Sequence, residues 1–134
     1  MPALILATAS EVRQSLLKQS GIRFRTQAAR IDEAAIKAAM LQEGATPHDI
    51  ADALAEYKAR KVSQKHADAM VIGCDQVLEF RGKLLSNPKN VEAAISQLIE
   101  LRGQSHKLHS AVVIYENEQP VWRHVGQVRL EMRN

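Results

Sequence analysis

The chain has 134 residues, enough for one domain with a core of its own and no need of covalent staples. Its 18 basic and 15 acidic side chains leave a formal net charge of +3. The two signs are interspersed, which argues against nucleic acid or another large polyanion and leaves small anions open. A single cysteine, Cys74, excludes an intrachain disulfide and a cysteine-based zinc cluster, and its apolar neighbours make it an expected core residue. No stretch approaches the roughly 18 apolar residues of a membrane span, and MPALILATASEVRQ has no basic start before its short apolar run, so a soluble cytoplasmic protein is expected.

From the N-terminus, ALILA at residues 3–7 reads as a short strand, after which Val12, Leu16 and Leu17 recur at helical spacing. Ser10 is placed as the N-cap of that helix and Gly21 as its stop. The alternation in IRFRTQ predicts a second strand over 22–27. A helix follows from Asp32 to Glu43, stopped by Gly44. Thr46 then caps a longer one with Pro47 in first position and Ile50, Ala53, Leu54, Tyr57 and Val62 on its apolar face, ending near His66.

AMVIGCDQVLEF predicts a buried strand, with Arg81-Gly82 turning into KLL. Asn87-Pro88 punctuates the chain, and Val91, Ala94, Ile95, Leu98 and Ile99 mark one side of a helix that stops near Gly103. HKLHSAVVIYE and PVWRHVGQVRLEMR read as two long antiparallel strands joined around residues 117–119. The last of these is expected to present a sheet edge, which makes a homodimer plausible. With no repeat, low-complexity tract or linker, residues 1–134 read as one α/β domain.

Two places invite chemistry. In ATASEVR, a strand runs through small hydroxyl residues into a helix, an arrangement that aims backbone N–H groups and the positive helix end at one point, as a phosphate requires; Arg13 adds a forked donor. The plain alternative is that Ser10 only caps the helix and Arg13 is solvated. No P-loop or G-x-G-x-x-G pattern is present. In VIGCDQV, Asp75 follows an apolar run, where an unpartnered carboxylate would carry a large desolvation cost, so it needs a cap, a cation or a metal ion.

The other polar residues are less telling. Asp32 and Glu33 stand where acids favour a helix start, and Lys58 is beside Tyr57 on the long helix. The five histidines contain no H-E-x-x-H, and His106 and His109, three apart in a strand, point to opposite faces. No G-x-S-x-G elbow supports a serine nucleophile. Tyr115 and Trp122 read as packing residues.

Taken in order, LILATASEVRQSLL, RIDE, LAEYKARKV, VIGCDQV, the Asn87-Pro88 pair and LRGQSHKLHSAV resemble the motif series of the Maf (septum formation inhibitor) family of nucleoside triphosphate pyrophosphatases along the whole chain. That family pattern is S-x-S-P-R-R, an acidic pair, a helix K-A motif, G-[AS]-D-[TQ], K-P and G-x-x-H. The resemblance implies a mixed twisted sheet with flanking helices, of the Maf and inosine-triphosphatase-like kind. It implies phosphate binding by Ser10, Arg13 and Lys58, and a metal, Mg²⁺ or Mn²⁺, held by Glu33 and Asp75. Asp75 would also be the catalytic base and Gln76 a substrate contact. GCDQ looks like the G-S-D-Q of the 7-methyl-GTP branch, where threonine marks the dTTP and UTP branch.

The implied reaction is hydrolysis to a nucleoside monophosphate and pyrophosphate. Departures bear on it: Glu11 and Val12 replace the family Pro and first Arg, Thr8 stands for Ser, and Asn87 stands for the lysine of K-P. Each lost phosphate-contacting cation removes a charged hydrogen bond worth roughly 1.5–3 kcal/mol, and restoring lysine at position 87 is expected to raise activity. The family continues into a G-x-Y-x-[IL]-[QE]-G segment, so a C-terminally truncated form is expected. The alternative reading is a catalytically impaired nucleotide- or partner-binding relative.

Overall fold

The computed structural model describes residues 3–86 and 88–134. Ten elements follow one another: β1 (Leu4–Leu6), α1 (Glu11–Gln19), β2 (Arg25–Thr26), α2 (Glu33–Gln42), α3 (Pro47–Ser63), β3 (Met70–Phe80), β4 (Lys83–Leu85), α4 (Val91–Leu101), β5 (Ser105–Glu116) and β6 (Gln119–Glu131). The strands form one mixed sheet in the order β2-β1-β3-β5-β6, with β4 also on β3. β1 runs parallel to β2 and β3, and the remaining pairs are antiparallel. The mixed α/β architecture with flanking helices is the expected one.

Helix boundaries follow from local chemistry. Ser10, Asp32, Thr46 and Asn90 each accept a backbone N–H three residues on, satisfying donors the helix leaves open. Both two-residue hairpin loops, Arg81-Gly82 and Asn117-Glu118, have positive φ at both positions, as the twist of the flanking strands demands. The predicted second strand shrinks to Arg25–Thr26, because β1 offers only Ile5 and Leu6 to pair with.

The core is made by α3 lying across one face of the sheet. Ile50, Ala51, Leu54, Ala55, Ala59 and Val62 meet Val71, Val77, Ala111, Val113 and Tyr115. Gly73 sets the approach distance: a Cβ there would stand 2.1 Å from the Ala55 carbonyl oxygen and 2.8 Å from the Ala59 Cβ. The helix therefore sits almost on the backbone of β3, a fit that only glycine at position 73 permits.

Several predicted packing faces are corrected. Val12 and Leu16 of α1, and Val91, Ile95, Leu98 and Ile99 of α4, remain largely exposed, because only α3 packs closely on the sheet. Tyr57 is half exposed, since its position on α3 turns it away from β3, and Trp122 is exposed on the edge strand β6 whereas Tyr115 is buried as expected. Among the described residues, no helix is long and apolar enough to cross a membrane.

The feature that positions the site is a notch in the sheet. One edge of β3 pairs without interruption with β5 from Met70 to Glu79. The other edge pairs with β1 only over Met70–Ile72 and with β4 only over Leu78–Phe80. Residues 73–77 therefore have no strand neighbour on that side, and the turn from β1 into α1 occupies the opening. Asp75 lies at its midpoint. As the AMVIGCDQVLEF reading expects, the acid lies within a strand, in the middle of eleven residues, and the strand that ends near it is the neighbouring β1.

Candidate functional site

The notch leaves backbone groups of β3 to be satisfied by something other than a strand. Arg13, held by α1 close to its N-terminus, donates from Nη1 to the Cys74 carbonyl at 3.4 Å. Ser10 serves as the N-cap, its Oγ accepting from the Arg13 N–H at 3.4 Å, and Thr8 Oγ1 accepts from the Ser10 N–H at 3.0 Å. The β1–α1 turn is thereby fixed against the notch. Above it opens a cavity of about 550 Å³ lined by Ser10, Val12, Arg13, Leu16, Cys74, Asp75, Gln76, Ser110, Ala111 and Val112. That size falls in the range of small-molecule sites.

Asp75 is nearly buried and points toward α3, as strand alternation requires next to Gly73 and Val77. Its partner is Lys58, whose Nζ lies 2.9 Å from Asp75 Oδ1 and 2.6 Å from Glu33 Oε1. Three elements thus meet at one ammonium: the first turn of α2, the middle of α3 and the middle of β3. Glu33 and Lys58 do not line the 550 Å³ cavity themselves; they reach it through Asp75.

The electrostatics follow from burial. Desolvation pushes the Asp75 carboxyl above the usual carboxylate range, and the hydrogen bond and charge of Lys58 pull it back only in part. Burial works against the Lys58 ammonium, but its bonds to Glu33 and Asp75 together outweigh that and raise it above the ordinary lysine value. The second carboxylate oxygen of Asp75, Oδ2, is buried with no hydrogen-bond partner among the described residues. A buried lone carboxylate oxygen is costly, and a cation would satisfy it.

Metal binding can be tested against these residues. Among the described residues, no group of three or more His, Cys, Asp or Glu side chains gathers to make a metal site. Two carboxylates, one with an orphaned oxygen, do fit Mg²⁺ or Mn²⁺, hard cations that take one or two carboxylates and complete their shell with phosphate oxygens and water. A closed zinc-type cage does not fit.

The expected residues Ser10, Arg13, Lys58, Asp75, Gln76 and Glu33 are therefore brought into one connected site, whereas Asn87 lies outside the described residues. Cys74, expected in the core, is half-buried and lines the cavity, since it lies on the face of β3 that α3 does not cover. Ser110, Ala111 and Val112 escaped notice in the sequence. Only the register of β5 on β3, with Ser110 opposite Gln76 and Ala111 opposite Asp75, brings them there.

A mixed sheet broken at a strand end, with a helix N-terminus, two cations and two carboxylates grouped at the break, defines an α/β domain whose charged side chains gather at one sheet opening. Within that class the chain belongs to the Maf family: the family description "Maf-like protein" matches residues 3–134. Among similar proteins are a nucleoside triphosphate pyrophosphatase of Ruegeria pomeroyi, 59% identical over 97% of this chain and 65% of its own length, and a 7-methyl-GTP pyrophosphatase of Brucella abortus, 45% identical over 98% of this chain and 66% of its own length. The chain thus spans just under two thirds of the relatives it matches. The Ham1 protein of Staphylococcus aureus shares the fold at TM-score 0.53 and 16% identity, over 96% of this chain and 71% of that one. So does a dITP/XTP pyrophosphatase of Mycobacterium abscessus, at TM-score 0.51 and 16% identity over 95% of this chain and 71% of that one.

Proposed function

We propose that the domain binds a nucleoside triphosphate in the notch and hydrolyses it, with a divalent metal, to a nucleoside monophosphate and pyrophosphate. The observation that carries this reading is the Glu33–Lys58–Asp75 triad with its orphaned, buried Asp75 Oδ2, joined through Asp75 to a cavity that also holds Arg13 and the Ser10-capped helix end. The names of the Ruegeria and Brucella relatives support the same substrate class. The GCDQ sequence favours 7-methyl-GTP over dTTP or UTP among candidate nucleotides.

Charge explains why a metal belongs in the reading. Arg13 and Lys58 are balanced by Glu33 and Asp75, so these four groups offer no net positive charge to a polyanion. Mg²⁺ or Mn²⁺, held by Glu33 and Asp75, would supply Lewis-acid neutralisation of phosphate oxygens. The chain's own groups do the rest. Arg13, with its fork, and the α1 N-terminus orient phosphate oxygens. Lys58 holds Glu33 and Asp75 in place and can turn to a phosphate oxygen as the ligand enters.

Asp75 positions a water and takes its proton. A carboxyl shifted upward by burial is a better base than an exposed one, and a positioned general base commonly contributes about 10² to 10⁴ in rate. A panel of 7-methyl-GTP, dTTP, UTP and CTP with Mg²⁺ or Mn²⁺, assayed for pyrophosphate, tests the proposal. Turnover of at least one nucleotide by the wild type and its loss in Asp75→Asn are expected; equal turnover in the variant would remove Asp75 from the mechanism. Calorimetry on the same panel separates this reading from a nucleotide-binding relative without turnover, which the apolar Val12 at the cavity favours.

A further inference from the structure

The part of the cavity over Gln76 and Ser110 has its own construction. Gln76 and Ser110 are directly paired across β3 and β5, and Gln76 Nε2 donates to Ser110 Oγ at 2.9 Å. Both side chains are exposed and both line the cavity. The next residue in register, Gly126 on β6, has no side chain to stand over Ser110; a Cβ there would meet only His124 Nε2 at 3.8 Å and the Ser110 carbonyl at 4.0 Å. Around this polar pair the wall is apolar: Val12 and Leu16 of α1, both more than 60% exposed, and Val112 of β5.

A primary amide carries two N–H donors and one carbonyl acceptor. With one N–H committed to Ser110, Gln76 retains an adjacent donor and acceptor, held still at the floor of an apolar slot. A flat apolar ring with hydrogen-bonding groups on its edge is the ligand such a slot complements, and phosphate is not. We propose that Ser110 is a positioning residue for nucleobase recognition: by accepting from Nε2 it fixes the Gln76 amide so that its free N–H and Oε1 meet the base edge. This rests on the triphosphate reading above and deepens it by placing the base at the Gln76 end and the phosphates at the Arg13 end.

Without the Ser110 hydroxyl, Gln76 becomes a free rotor that binding must freeze. The loss then falls on ligands that carry a base and spares those that do not. The test compares equilibrium binding of 7-methyl-GTP, supplied as its non-hydrolysable α,β-methylene analogue, and of inorganic tripolyphosphate, in the presence of Mg²⁺, to the wild type and to Ser110→Ala, Ser110→Thr, Gln76→Ala and Ser110→Ala/Gln76→Ala. Ser110→Ala is expected to weaken 7-methyl-GTP about three- to tenfold, the range of one ordinary hydrogen bond, and to leave tripolyphosphate unchanged. Ser110→Thr should restore the affinity, and Ser110→Ala should add nothing in the Gln76→Ala background.

Equal weakening of both ligands, no weakening of either, or full additivity with Gln76→Ala overturns the proposal while leaving the triphosphate reading intact. If wild-type protein binds neither ligand, the triphosphate reading itself falls, and this proposal with it.

Discussion

Replacing Lys58 with methionine removes the ammonium while keeping most of the side-chain volume, and the geometry sets the expected cost. The Lys58 side chain is 12% exposed, Asp75 is 8% exposed and Glu33 is 42% exposed. The Glu33 arm is a partly solvated ion pair, worth no more than about 1 kcal/mol. The Asp75 arm is different, because its carboxylate would keep its burial and lose the cation that hydrogen-bonds to it; breaking such a pair from one side costs about 3 kcal/mol, the low end of the usual range, given that the cavity admits water. Urea denaturation at pH 7 should therefore show Lys58→Met less stable by about 3 kcal/mol. At pH 5 the deficit should shrink, since the unpartnered Asp75 escapes its penalty by taking a proton. Adding Asp75→Asn should recover part of the loss. A midpoint within about 0.5 kcal/mol of wild type at pH 7, the scatter of ordinary surface substitutions, or a deficit independent of pH, would refute the reasoning.

Other consequences are open to direct measurement. Gly73→Ala forces a methyl against the Ala55 carbonyl, so α3 must lift; a loss of about 1–3 kcal/mol or more in urea denaturation is expected, and an unchanged midpoint would mean α3 does not seat on β3 as described. Gly82→Ala meets no neighbour but sits at φ 78°, so a loss of about 1 kcal/mol from backbone strain alone is expected, with no change in nucleotide binding. Carbon-13 NMR should find the Asp75 carboxyl titrating above 3.8, and still higher in Lys58→Met; titration below 3.8 in wild type would contradict its buried setting. The linkage signs are the same, because both groups hold their proton more tightly in the folded protein, so stability falls as pH rises through each window. Asp75 ionisation subtracts stability as pH rises from 3.8 through its elevated folded value, and Lys58, raised above 10.5, contributes stability that is complete below 10.5 and lost as pH climbs through its folded value.

Much of this fold is legible because local chemistry and pattern agree. The caps at Ser10, Thr46 and Asp32, the Arg81-Gly82 and Asn117-Glu118 turns, and the alternation of β3 and β5 each point to the element that forms. What the pattern misjudges is burial on α1 and α4, where apolar periodicity is real but the packing layer is provided by α3 alone. The site is legible only in pieces. Asp75 stands out as an acid in an apolar strand, yet its partner Lys58 is 17 residues earlier and its cavity neighbour Ser110 is 35 residues later, so neither pairing leaves a local trace. Nothing in the sequence announces the notch either, because it arises from two short strands, β1 and β4, that stop on either side of the same edge.

Phosphorus-31 NMR of the products formed from 7-methyl-GTP with Mg²⁺ puts the central claim to its most direct test. The account predicts a nucleoside monophosphate and pyrophosphate as the only products, and no products when position 75 is asparagine. A nucleoside diphosphate with inorganic phosphate, or the same monophosphate yield from Asp75→Asn, would contradict it.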